Sequence, residues 1–137
     1  MSQYWKFDIV GEPAPWQSYM RGSKQTKGKV ALDVYQATVQ AALKERWKQE
    51  PLSGPIGMRF SFFLLRPKRS KYEYPSKQDL TNLIKAAEDA CQGILFVNDS
   101  QVCLTEGAKQ YTSVGMERTS ITVWRMSFGK SSHGQQL

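Results

Sequence analysis

The stretch that decides the fold is Lys77-Gln78-Asp79-Leu80-Thr81-Asn82-Leu83-Ile84-Lys85-Ala86-Ala87-Glu88-Asp89-Ala90-Cys91. It is followed, after Gln92-Gly93 and the short apolar run Ile94-Leu95-Phe96-Val97, by Asn98-Asp99-Ser100-Gln101-Val102. Leu80, Leu83, Ile84, Ala87 and Cys91 recur at helical spacing, so an amphipathic helix is expected from Leu80 to Cys91, stopped by Gln92-Gly93. Asp79 stands where a helix cap belongs. Thr81, Lys85 and Glu88 share one helical face through offsets of four and three, and Asp89 lies one turn beyond Lys85. Asn98-Asp99-Ser100 reads as a turn, after which Gln101 to Glu106 alternates as a strand does.

Two carboxylates from separate segments, Asp79 and Asp99, could hold Mg²⁺ through hard oxygen ligands while leaving room for water and a phosphate oxygen. Lys85 could balance charge on the scissile phosphate or the leaving oxygen. The same residues also have ordinary readings. Asp79 can be a cap, Lys85 with Asp89 a surface pair, and Asp99 a turn residue; spacing leaves both readings open.

Upstream, Tyr4 to Val10 mixes aromatic and β-branched residues as a first strand, ended by Gly11-Glu12-Pro13-Ala14-Pro15. Gln17 to Lys29 reads as an exposed loop carrying Arg21, Lys24, Lys27 and Lys29. Val30 to Lys48 is expected to be a helix with Val34, Tyr35, Thr38, Ala42 and Leu43 inward and Val39 and Trp47 near that stripe. Pro51 and Gly54-Pro55 end it. Ile56 to Leu65 alternates at 56, 58, 60 and 62 before becoming continuously apolar, a strand burying one face and then both. A basic loop follows, with Arg66, Lys68, Arg69, Lys71 and Lys77 around Tyr72 and Tyr74. Met116 to Phe128 reads as the last strand, with Ile121, Val123 and Arg125 on one face, and Gly129 to Leu137 as a flexible tail.

At 137 residues the chain suits one domain with a core that needs no disulfide or metal. Its net charge of +7 is regional: 14 basic and 6 acidic side chains precede residue 78, while 5 and 6 follow it. A polyanion would be drawn to the first part. Cys91, Cys103 and the single His133 argue against a disulfide scaffold, a zinc site and most histidine-dependent catalysis. No apolar run approaches the roughly 18 residues of a membrane span, and the first residues lack a signal-peptide pattern, so a cytoplasmic protein is expected.

The motif Lys77 to Lys85, then Glu88-Asp89-Ala90, Gly93 and Asn98-Asp99-Ser100-Gln101-Val102, resembles the RusA family of endodeoxyribonucleases that resolve Holliday junctions, small proteins common in phages and prophages. The family pattern is an Asp-x-Asp-Asn-Leu-x-Lys helix start and an Asp-Asp-x-Gln-Val/Ile turn. Looser similarity runs from residue 4 to 126. The resemblance implies one α+β domain over residues 1 to 128, with a mixed sheet and two main helices. It also implies a homodimer acting on four-way or branched DNA, not on membranes, with paired symmetric nicks made by hydrolysis dependent on Mg²⁺ or Mn²⁺. Carried over residue by residue, Asp79 and Asp99 match metal-binding aspartates, Lys85 the essential lysine, and Asp89 a common acidic position.

Two positions depart from the pattern. Thr81 stands where the second aspartate of the helix motif belongs, and Asn98 where the first aspartate of the later pair belongs. Neither supplies a carboxylate's charge. Glu88 or Asp89 would then complete a rearranged metal site with Asp99, or the chain binds junctions without cutting them, or it keeps the fold for a structural or regulatory task. On the endonuclease reading, Arg66, Lys68, Arg69, Lys71 and Lys77 would guide phosphates toward Asp79, while Arg21, Lys24, Lys27 and Lys29 contact another junction arm.

Overall fold

The computed structural model describes residues 3–18 and 26–129. Strand β1 (Tyr4–Val10), helix α1 (Thr26–Arg46), strand β2 (Ile56–Leu65), helix α2 (Leu80–Cys91), a 3₁₀ turn (Asp99–Gln101), strand β3 (Val102–Thr112) and strand β4 (Arg118–Arg125) follow in chain order. The four strands form one mixed sheet in the order β1-β4-β2-β3. Strands β2 and β3 run parallel, while β4 pairs antiparallel with both β1 and β2. The parallel pair requires a crossover connection, and α2 supplies it. This is the α+β architecture expected from the sequence.

Both helices pack on one face of the sheet. The core between them joins Phe7 and Ile9 of β1, Met58, Phe60, Phe62 and Leu64 of β2, Ile121 and Val123 of β4, Leu43 of α1 and Leu83 of α2. A side-chain amide ties the helices together, Gln36 Nε2 donating to the Ala86 carbonyl at 3.0 Å. A hydroxyl pair, Tyr35 with Thr119 at 2.7 Å, satisfies the polar atoms that α1 and β4 bury.

Several local expectations need correction. Helix α1 begins at Thr26, so Lys27 and Lys29 lie in its first turns and not in a loop, and Lys29 pairs with Asp33 one turn on at 2.6 Å. Its buried stripe is Leu32, Tyr35, Val39, Leu43 and Trp47, whereas Val34 is 60% exposed. The buried stripe is rotated by one residue from the expected Val34, Thr38 and Ala42 because Leu32, Val39 and Leu43 are the side chains that reach the core. The run Phe62 to Leu65 keeps its alternation to the end: Phe62 and Leu64 are buried, Leu65 is exposed, and Phe63 faces the opposite side of the sheet. Strand β3 extends to Thr112, six residues beyond the expected Glu106. Strand β4 is shorter than the expected 116–128. Arg21, Lys24 and residues 130–137 lie outside the described residues.

Among the described residues, no helix covers the sheet's other face. Lys6, Arg59, Ser61, Phe63, Arg118 and Trp124 line a broad depression of about 630 Å³ there. Its aromatic rings are covered by cations, with the Arg118 guanidinium 3.8 Å from the Phe63 centroid and that of Arg59 5.7 Å from the Trp124 centroid. Gly57 is required beneath Trp124, since a Cβ there would come within 2.5 Å of the indole.

Candidate functional site

Helix α2 lies over the end of the sheet formed by β2 and β3. Gly107 of β3 allows this approach, because a Cβ at that position would meet Ile84 Cδ1 at 2.6 Å. Leu80 and Ile84 pack there, and Leu83, Ala86, Ala87, Ala90 and Cys91 face the core. Thr81, Lys85 and Asp89 are left exposed, with Glu88 half-buried beside them. The small residues Ala86, Ala87 and Ala90 keep the helix close to its neighbours, so the polar face is held at a fixed height.

Asp79 occupies the N-cap position with extended backbone, φ −76° and ψ 126°, but its side chain makes no capping hydrogen bond. Its closest polar contact is the amide of Asn82, Nδ2 to Oδ2 at 3.5 Å. The carboxylate is therefore not consumed by the local role that its position suggests.

Asp99 is held differently. It opens the 3₁₀ turn whose cap is Asn98, the side chain of which accepts from the Ser100 N–H at 2.9 Å. Gln101 completes the capping box and does more. Its Oε1 accepts from the Val97 and Asn98 N–H groups at 2.8 and 2.9 Å, and its Nε2 donates to the Leu52 and Gly54 carbonyls, both at 2.8 Å. The glutamine of the motif is thus a structural clamp that fixes the turn bearing Asp99 to the segment before β2. Asn98, which replaces an aspartate of the family pattern, is engaged in capping.

The charge of Asp99 acts on both Glu88 and Asp89. Burial raises the Glu88 carboxyl above the ordinary range, and the charges of Asp89 and Asp99 raise it further. Asp89 is also raised by burial, with Lys85 acting in the opposite direction and Asp99 adding to the rise. A half-buried carboxyl whose proton affinity is raised by neighbouring carboxylates offers hard oxygen donors of the type that a divalent cation would relieve. Asp79 sits at the other end of α2, about 13 Å from Glu88 along the axis at 1.5 Å per residue. Among the described residues no three His, Cys, Asp or Glu side chains are gathered to hold a metal ion. The donors fit such an ion in chemistry, without forming a closed ligand set.

Lys85 makes no close ion pair with Asp89 among the described residues. Its ammonium lies over the indole of Trp16, Nζ 3.7 Å from the ring centroid. The Trp16 N–H in turn donates to the Asn82 carbonyl at 2.9 Å, which docks the proline-rich turn after β1 on α2.

The basic loop 66–78 is anchored through Tyr111, a residue of β3 that no sequence pattern singles out. The Arg66 guanidinium stacks 5.5 Å from the Tyr111 centroid, and Ser70 Oγ pairs with Tyr111 OH at 3.0 Å. Lys109 Nζ donates to the Gln78 carbonyl at 2.5 Å, fastening the end of the loop beside Asp79. Lys68, Arg69, Lys71 and Lys77 are exposed around this anchor.

The family model described as Endodeoxyribonuclease RusA matches residues 11–124 of the chain. No curated protein matches the chain at a significant level.

Proposed function

The chain belongs to the RusA endodeoxyribonuclease family, and from that premise we propose that it is an active, Mg²⁺-dependent endonuclease that nicks four-way DNA junctions in paired, symmetric positions. Family membership supports a DNA-junction nuclease function. The finer reading is supported by one observation, that the charges of Asp89 and Asp99 both act on the half-buried Glu88 carboxyl while the Lys85 charge acts on Asp89. On this reading Asp99 and Glu88 would hold Mg²⁺ (Mn²⁺ would serve), with Asp89 as the further carboxylate beside them and Asp79, at the other end of α2, facing the incoming phosphate backbone through a water or a second ion, and the bound metal would supply an acidified water and charge neutralisation.

The protein's own groups have distinct tasks. Lys85, kept in place by the Trp16 ring, would stabilise negative charge building on the phosphate or on the leaving oxygen. Gln101 holds the Asp99 turn still, which matters because a displaced ligand of about 1 Å can cost two orders of magnitude in rate. Lys68, Arg69, Lys71 and Lys77 neutralise phosphates on the path to Asp79. A homodimer would present two such sites to two strands.

A second reading rests on Thr81 and Asn98, the neutral residues at two acidic positions of the motif: a junction-binding protein that does not cut. Separate Asp99→Asn, Glu88→Gln and Asp79→Asn variants, scored for junction binding and for nicking, decide between the two. The endonuclease reading expects retained binding with nicking lost in Asp99→Asn. Unchanged nicking in all three would remove the proposed site.

A further inference from the structure

Between the basic loop and β3 lies a cavity of about 260 Å³, separate from the carboxylates described above. Tyr72 and Tyr111 contribute its aromatic walls, Arg69, Lys71 and Lys77 its cations, and Gln78, the residue before Asp79, its far side. Glu73, the only acid of the loop, does not line it. No carboxylate pairs with Arg69, Lys71 or Lys77 among the described residues.

The cavity is built rather than left by a slack loop. Ser70 Oγ donates to the Tyr72 carbonyl at 2.9 Å while pairing with Tyr111 OH. Arg66 Nη2 donates to the same Tyr72 carbonyl at 3.2 Å, and Tyr74 packs on Tyr72 with centroids 5.3 Å apart. The walls are mostly apolar, and every charge at the cavity is positive.

We propose that this cavity receives one unstacked nucleotide of branched or single-stranded DNA, its base against the Tyr72 and Tyr111 rings and its phosphate among Arg69, Lys71 and Lys77. The proposal rests on the reading of the substrate as junction DNA and specifies how the branch is distinguished from a duplex. Aromatic rings take any base by its face, and cations take the phosphate, so the pocket needs no base sequence. A continuous duplex keeps its bases stacked and offers none to a pocket of this kind; a branch point or single strand offers them at little cost. A nucleotide seated here would place the adjoining backbone beside Asp79.

The test is binding of the full chain in Ca²⁺ or EDTA, so that nicking is not the readout. The probes are a four-way junction, a matched linear duplex and an oligo(dT) single strand. Tyr72→Ala is expected to weaken junction and single-strand binding roughly tenfold, the loss of about one stacked base, while duplex affinity stays unchanged. Tyr72→Phe should keep wild-type affinity. Lys71→Gln with Lys77→Gln should weaken both branched and single-stranded probes and flatten their salt dependence. An abasic residue at the crossover should reproduce the Tyr72→Ala loss, with no further loss on combining the two. Equal weakening on all three probes, or none, overturns the pocket. A wild-type chain without junction preference whose oligo(dT) binding still falls in Tyr72→Ala would refute the junction reading and leave the pocket standing.

Discussion

The Lys85 ammonium rests on the face of the Trp16 indole, 3.7 Å from the ring centroid, so the lysine of the helix motif is positioned by a residue 69 places earlier in the chain. A cation over an aromatic face is attracted by the ring quadrupole, on the order of 1 kcal/mol where partly exposed. The contact also limits the rotamers of a long side chain, which otherwise searches many.

Trp16→Leu should therefore lower the nicking rate constant by about tenfold while junction affinity measured in Ca²⁺ stays within twofold. Trp16→Phe should restore most of the rate, since a ring face is retained. Equal rates for Leu and Phe variants would show that Trp16 acts only as packing.

Gln101 makes four hydrogen bonds that join the Asp99 turn to the chain before β2. Gln101→Ala leaves two N–H groups and two carbonyls without these partners. A loss of about 1–2 kcal/mol is expected, since one of the four bonds is partly buried and the other three are exposed, where solvent recovers much of the roughly 1 kcal/mol each contributes. Denaturant unfolding checks this, and a loss below half a kcal/mol would contradict the clamp.

Glu88 gives a pH prediction. Its carboxyl is raised in the folded protein by burial and by Asp89 and Asp99, so the native state holds a proton that the unfolded chain releases earlier. Stability then falls as pH rises from the ordinary glutamate range through the raised value, and is level outside that window. Glu88→Gln should match the wild type at acid pH and melt a few degrees higher at neutral pH, a modest gain because solvent screens the half-buried group. Mg²⁺ should raise the wild-type melting temperature and move Glu88→Gln less. A variant no more stable at neutral pH would contradict the repulsion.

Much of this was legible in the sequence because the decisive segment is strongly patterned. The stripe Leu80, Leu83, Ile84, Ala87 and Cys91 located α2, and alternation located β1 and β2. The stripe of α1 was less clear, since Val34 is as apolar as the buried Leu32 and only packing against the sheet separates them. The length of β3 was hidden for a related reason. It is an edge strand with most of its residues exposed, so Gly107, Lys109 and Gln110 show no apolar alternation. Among the proposed site residues, the family motif singled out Asp79, Lys85 and Asp99, where spacing alone left cap, surface-pair and turn readings open. Trp16 and Tyr111 act across the fold, through contacts that span 69 and 41 residues, and no local pattern announces them.

The most direct test is cleavage of an end-labelled four-way junction by the purified chain, with Mg²⁺, Ca²⁺ and EDTA in parallel and a matched linear duplex as control. Paired nicks at symmetric positions in opposing strands, seen with Mg²⁺, absent with EDTA and lost in Asp99→Asn, are the predicted result. Tight junction binding with no nick under any metal condition would contradict it and leave the chain as a junction-binding protein.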